Sequence, residues 1–332
     1  MSRTGPQGRT LPPHTDPIGA LLASPPDLPV VEVLPELRER LSPGSDGVGT
    51  SLVLTAPPGT GKTTLVPPLV ADALTQAQPT GASDGNGPGR GPGRVVVTQP
   101  RRIAARAAAR RLAALLGEEV GGTVGYAVRG ERRAGPSTRV EVVTAGLLLR
   151  RLQRDPELSG VDAVILDEVH ERSLDSDLLL ALLTDARAAL REDLPLVAMS
   201  ATLDADRLRR VLGGTQGGAD GPVPLVEAPG RLHPIEEVWA PPGRSGRLGP
   251  RGVPREFLAH VAATVERALA EHAGDVLVFL PGAREVDDVV ARLRRAVSEG
   301  PESVDVLPLH GRLPASAQDV ALTSSPAGGG AS

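Results

Sequence analysis

The sequence predicts an α/β protein whose parallel sheet is covered by helices on both faces. Three observations predict it. Runs of four to six Val, Leu and Ile residues recur along the chain and read as strands buried on both sides. Segments of helical period separate these runs, the alternation of βαβ units. The first run leads through a glycine-rich turn, Ala56–Thr63, into the first long helix.

The elements follow in order. Residues 1–29 are rich in Pro, Gly and polar side chains and are expected to be poorly ordered. A short helix is expected over 34–41 and a loop over 42–49. Strand 51–55 precedes the glycine-rich turn, and a helix starts at Lys62 or Thr63 and runs to Thr75. Residues 78–94 are low in complexity and read as a flexible surface insert. Strand 95–98, helix 102–116, strand 140–143, helix 145–153, strand 162–167, helix 176–190, strand 195–199 and helix 204–212 complete a first domain over 30–228. A second alternation predicts strand 235–239, helix 255–271, strand 275–280, helix 284–297 and strand 304–308. This is a partial second domain over 229–322, followed by a Ser/Pro/Gly tail over 323–332.

The composition narrows the function classes. The 332 residues suit two domains, and 40% are apolar, as in globular proteins. Aromatics are only 1%, which nearly excludes a site built on stacked rings. Cysteine is absent, so disulfides, thiolate nucleophiles and cysteine-held metals are excluded. The longest apolar run, Leu178–Leu183, is far short of the ~20 residues of a membrane span. No stretch of signal-peptide type begins the chain, and the expected location is the cytoplasm.

Charge is uneven. Residues 90–139 hold eleven Arg and three Glu, a net of +8 on a chain of net −4. Such clustering suits a phosphate-contacting face. Of 36 Lys and Arg, the one lysine is Lys62. A compact ammonium fits among phosphate oxygens where the wide guanidinium fork does not.

Two motifs carry chemistry. Ala56-Pro57-Pro58-Gly59-Thr60-Gly61-Lys62-Thr63 is a P-loop, with Ala56 where the full pattern has Gly. Gly59 and Gly61 let backbone N–H groups turn toward phosphates, and the helix N-terminus adds its dipole. Lys62 would reach the β- and γ-phosphates and Thr63 would ligate Mg²⁺. Asp167-Glu168-Val169-His170 ends a strand where ligands bind in parallel sheets. Asp167 would hold Mg²⁺ through water, and Glu168 would deprotonate the attacking water. Ser200-Ala201-Thr202 ends another strand. Its hydroxyls cap the next helix or bond to Asp167 or His170.

Together these motifs resemble the first part of the superfamily 2 helicases of DEAH/RHA type, and among them the bacterial HrpB-type ATP-dependent RNA helicases. The matching stretches are Ala56–Thr64, Thr98–Arg102, Gly125–Arg129, Val143–Gly146, Asp167–His170, Ser200–Thr202, Phe279–Gly282 and His310–Pro314. The resemblance implies a P-loop NTPase fold with one RecA-like domain and part of a second. It implies ATP and Mg²⁺ as cofactors, with Gly59, Thr60, Gly61, Lys62, Thr63 and Thr64 around the phosphates and Arg111 stacked on adenine. A solvated helix face is the alternative for Arg110 and Arg111. The resemblance also implies that Arg101, Arg102 and Thr144 contact single-stranded RNA through its backbone. His170, Ser200 and Thr202 would then couple nucleotide state to the second domain.

Two features depart from the family. Val169 stands where the family has Ala, a small apolar exchange. The family's later helix of Q-x-x-G-R-x-G-R pattern, whose arginines act on the γ-phosphate, is absent. The chain therefore reads as C-terminally truncated, and turnover by it is expected to be low. The alternatives are a non-catalytic nucleotide- or RNA-binding P-loop module and an unrelated P-loop ATPase, such as a DNA-repair translocase or a kinase, and the pair Thr98–Arg102 and Asp167–His170 argues against a kinase. Backbone contacts carry no base information, so RNA is favoured over DNA through the resemblance alone, and oligomeric state is not specified.

Overall fold

The computed structural model describes residues 16–41, 50–77, 93–201, 205–213, 222–230, 234–243, 252–298 and 304–322. The chain divides into two compact units, Met1–Leu232 and His233–Ser332.

The first unit is built on an eight-stranded sheet of order β4-β3-β5-β2-β6-β7-β1-β8. Its strands are β1 Leu52–Thr55, β2 Val95–Gln99, β3 Val124–Val128, β4 Glu131–Arg133, β5 Val140–Thr144, β6 Ala163–Leu166, β7 Leu196–Ser200 and β8 Leu225–Glu227. Every pairing is parallel except the β3–β4 hairpin. The five runs expected as strands in this unit are β1, β2, β5, β6 and β7, and the structure adds β3, β4 and β8. Strand β3 mixes Gly and Ala with its apolar residues, β4 is Glu-Arg-Arg and β8 has three residues. None carries a strong intrinsic signal, and each is a strand because a neighbour offers a ladder.

Alternation places successive residues on opposite faces. Leu52 and Leu54 join a core with α1 (Pro17–Ala23), α2 (Leu34–Leu41), α3 (Lys62–Gln76) and α4 (Arg102–Leu115). Val53 joins the opposite core with α5 (Ala145–Arg154), α6 (Leu174–Ala189) and α7 (Ala205–Gly213).

The expectation of poor order over 1–29 is corrected for residues 16–29. Helix α1 buries Ile18 and Leu21, and Asp16 caps it by accepting from Ile18 N. A 3-10 turn, Pro29–Val33, buries Val30 and Val33. The Pro and Ser that lower the segment's apparent order occupy its caps and turns, while its few aliphatics reach the core. Residues 1–15, most of the 78–94 insert and the 323–332 tail lie outside the described residues. Gly93 and Arg94 of that insert lead into β2, with Gly93 buried.

The second unit contains α8 (Arg255–Glu271), α9 (Ala283–Ser298) and α10 (Ala315–Leu322). Leu258, Ala262, Val265, Val289 and Leu293 form its small core. The strands expected over 235–239, 275–280 and 304–308 are corrected: among the described residues, this unit has no sheet. Val278, Leu280 and Val306 pack against that small core, whereas Ile235 at 89%, Trp239 at 87% and Phe279 at 86% stay exposed. Apolar composition suits a strand, but only a partner's N–H and C=O groups make one.

Candidate functional site

The C-terminal ends of β1, β6 and β7 bring the P-loop, the acidic pair and Ser200 together. Strand β7 lies between β1 and β6, so residues far apart in sequence become neighbours. The loop after β1 reverses tightly through Gly59 at φ +79° and Gly61 at φ +89°. Both angles lie in the left-handed region that glycine tolerates. The Thr60 hydroxyl donates to Pro57 O at 2.9 Å, and the Thr64 N–H donates to Gly61 O at 2.9 Å. These bonds tie the loop to the first turn of α3.

Lys62 is almost wholly buried, and its Nζ lies 3.5 Å from Ala56 O and 3.3 Å from Glu168 Oε2. Thr63 Oγ1 donates to Asp167 Oδ2 at 2.5 Å. Gln99 Nε2, from the end of β2, donates to the same oxygen at 2.6 Å. The Glu168 N–H donates to Asp167 Oδ1 at 2.9 Å. Burial pushes the Asp167 carboxyl up from 3.8 to about 6. The neighbouring Glu168 charge adds to the rise, while the Thr63 bond, Lys62 and the Glu168 backbone bond oppose it.

The acidic pair sits on a bent backbone. Glu168 at φ 55° and Arg172 at φ 50° both adopt left-handed conformations, one on each side of a 3-10 turn, Val169–Glu171. Two such non-glycine residues store backbone strain at this turn. His170 Nδ1 accepts from Ala201 N at 3.2 Å and lies 3.4 Å from Glu168 Oε2. The third strand-end motif therefore meets His170 through the Ala201 backbone amide. Ser200 O accepts from Ala56 N at 2.9 Å, and Thr202 lies outside the described residues.

Arg101 is exposed, and its guanidinium pairs with Glu171 at 3.3 Å. Arg102 is exposed at the start of α4 and Thr144 is half-buried at the end of β5. Gln99 and Thr144 are register partners in the sheet, so these three residues share one edge of the site. Arg111 is exposed on α4, nine residues beyond Arg102, and no hydrogen bond or ion pair joins it to the Lys62–Asp167 cluster among the described residues. The basic segment is not one open surface. Arg106 pairs with Glu131, Arg132 with Glu141, and the buried Arg139 with Asp16.

Sequence reasoning missed Gln99 as a site residue. Its signal was its place within the Thr98–Arg102 stretch, but only the β2–β6 pairing brings it to Asp167. Thr63 and Asp167 present adjacent hard oxygen donors, which suit Mg²⁺. That ion typically takes one or two protein oxygens and completes its shell with phosphates and water. The donor set therefore fits.

Comparison with known proteins settles the family. The DEAD/DEAH box helicase family matches residues 42–211, which include both motifs. The chain belongs to that family. Among curated DEAD/DEAH relatives, it is 41% identical over 301 residues to the ATP-dependent RNA helicase HrpB of Escherichia coli strain K12. That match covers 91% of this chain and 32% of the relative. It is 30% identical over 276 residues to the ATP-dependent RNA helicase HrpA of Borreliella burgdorferi, covering 83% of this chain and 30% of that one. The crystal structure of the E. coli DEAH/RHA helicase HrpB superposes with a TM-score of 0.69 at 40% identity, over 90% of this chain and 33% of that one. The chain thus spans about a third of the length of these helicases.

Proposed function

We propose that this chain carries the ATP-binding module of a DEAH-type, ATP-dependent RNA helicase, with ATP·Mg²⁺ and single-stranded RNA as its ligands. One observation supports the reading above the others. The buried Lys62 is held between Ala56 O and Glu168 Oε2, while Thr63 meets Asp167 at the next strand end. Ammonium, hydroxyl and two carboxylates are thereby preassembled beside a loop shaped for phosphates.

Lys62, on reaching the β- and γ-phosphates, would give up its bond to Glu168. Gly59, Thr60 and Gly61 would offer backbone N–H groups, and Thr64 would extend that cradle along the first turn of α3. Thr63 and Asp167 would hold Mg²⁺, which neutralises phosphate charge when bound. Glu168 Oε2 lies beside Lys62 and His170, and Glu168 would take a proton from the attacking water through its other oxygen. His170, whose Nδ1 accepts from Ala201 N, would couple nucleotide state to the end of β7. Arg101, Arg102 and Thr144 would hold RNA phosphates, and Arg111 would meet the base of ATP.

A second reading has support in the second unit. Its apolar segments do not assemble into a sheet among the described residues. The chain would then bind ATP and RNA with little turnover. Arginines acting on the γ-phosphate are worth ~10³–10⁵ in rate.

Titration with a fluorescent ATP analogue and Mg²⁺, followed by ATPase assays with and without poly(U), tests both readings. Lys62→Ala is expected to weaken nucleotide binding by roughly 10- to 100-fold, the loss of one charge-assisted contact set. RNA-stimulated hydrolysis would support the helicase reading for this chain, and binding without hydrolysis would support the second. Binding unaffected by Lys62→Ala would overturn both.

A further inference from the structure

We propose that the N-terminal segment 16–41 presets the P-loop for nucleotide, with Leu28 as a positioning residue. The inference rests on the nucleotide reading above. Two contacts carry it. The Val30 N–H donates to Thr60 O at 3.0 Å. The Leu28 side chain covers Gly61 so closely that a Cβ there would lie 2.6 Å from Leu28 Cδ1 and 3.0 Å from Leu28 Cβ.

These contacts fall on the residue that matters most for loop shape. Gly61 is the left-handed N-cap of α3, with φ +89°, and Lys62 and Thr63 follow it. A trans peptide sets its N–H opposite its C=O. Fixing Thr60 O on Val30 therefore turns the Gly61 N–H away from the N-terminal segment, toward the mouth of the loop. Leu28 closes the outer side of the same turn.

The segment is anchored independently of the loop. Asp16 Oδ1 accepts from Arg139 at 2.7 Å, and Arg139 also donates to Ala71 O and to Thr75 Oγ1 in α3. Arg38 of α2 pairs with the buried Asp72 at 2.6 Å. Helix α3 is thus gripped at Ala71–Thr75 from one side and at Gly61 from the other. Its phosphate-facing end cannot shift without moving the segment. Preorganisation of this kind raises affinity by lowering the ordering cost on binding.

The experiment compares two leucines of one segment in the full chain. Leu28 touches the loop, whereas Leu37 is fully buried beneath α2, in the core shared with α3. Leu28→Ala is expected to weaken binding of a fluorescent ATP analogue with Mg²⁺ by about tenfold, with only a small change in Tm. Leu28→Val, which suits the extended backbone of Leu28 (φ −127°, ψ 139°), should lose less and guards against misfolding of the alanine variant. Leu28→Met, which conserves volume, should restore affinity to within about threefold. Leu37→Ala is expected to lower Tm by several degrees while leaving affinity within about twofold at low temperature. Unchanged affinity in Leu28→Ala and Leu28→Val, beside a wild type that binds, would overturn the positioning role alone. A wild type that does not bind would overturn the nucleotide reading and this inference together.

Discussion

Asp167 combines burial, an acidic neighbour and three hydrogen-bond donors in one carboxyl group. Its value of about 6 lies above the ordinary 3.8, so folding favours the protonated form. Between about pH 4 and pH 6 the folded chain keeps a proton that the unfolded chain has lost. Stability from this group therefore falls as pH rises through that window, and the full cost, ~3 kcal/mol at most, stands above it. Asp167→Asn removes the charge at nearly constant shape. It is expected to raise the Tm of the nucleotide-free protein at pH 7.5, with the gain shrinking toward zero near pH 4. Calorimetry across that range checks it, and a gain independent of pH would show that burial of charge is not the cause. The same variant should lose the Mg²⁺ dependence of nucleotide binding, since it gives up the charged oxygen beside Thr63.

At the scale of elements, the decisive pairings are between pieces that look unrelated in the chain. Helix α1 has only seven residues, too few to be stable alone. It persists because Ile18 and Leu21 are buried and because Asp16 both caps it and meets Arg139. Arg139 is only 10% exposed in its side chain, while Asp16 is 43% exposed. Asp16→Ala is expected to cost about 1–2 kcal/mol, less than a fully buried pair because water screens one partner. Urea denaturation of the variant measures this, and a loss below ~0.3 kcal/mol would mean that α1 docks by apolar contact alone. Strand β4 makes the same point differently. Its Glu131 accepts from Tyr126, and that bond together with Arg106 holds the carboxyl below the usual range despite some burial. The hairpin thus ties the basic helix α4 to the sheet edge.

At the scale of the molecule, the two units differ in how completely they cover their apolar surface. The first buries a continuous core on each face of its sheet. The second leaves Leu277, Phe279, Ile235, Val238 and Trp239 largely exposed, a surface of the kind that binds partners or aggregates. A chain ending at Leu232 is expected to keep the Tm of the full chain and to lose most binding of the dye ANS. Equal ANS binding by both chains would place the exposed surface in the first unit instead. Trp239 is the one tryptophan and is 87% exposed. Its fluorescence therefore reports on the second unit alone and should show a fully hydrated indole.

The sequence by itself determined whatever the chain settles locally. Gly59 and Gly61 adopt left-handed angles that few other residues tolerate. Lys62 stands at the start of a helix, and Asp167 and Glu168 close a run too apolar to be anything but a buried strand. The family was legible from these residues because each depends on neighbours a few positions away. Tertiary structure alone decided what depends on a distant partner. Gln99 reaches Asp167 only because β2 pairs with β6, and Ala201 reaches His170 only because β7 lies beside β6. Leu28 and Val30 reach the P-loop only because α1 and α2 fold back on α3. The same physics explains the strands expected in the second unit. Val276–Leu280 has the composition of a strand, but backbone hydrogen bonds need a facing edge, and no pattern within the segment can supply one.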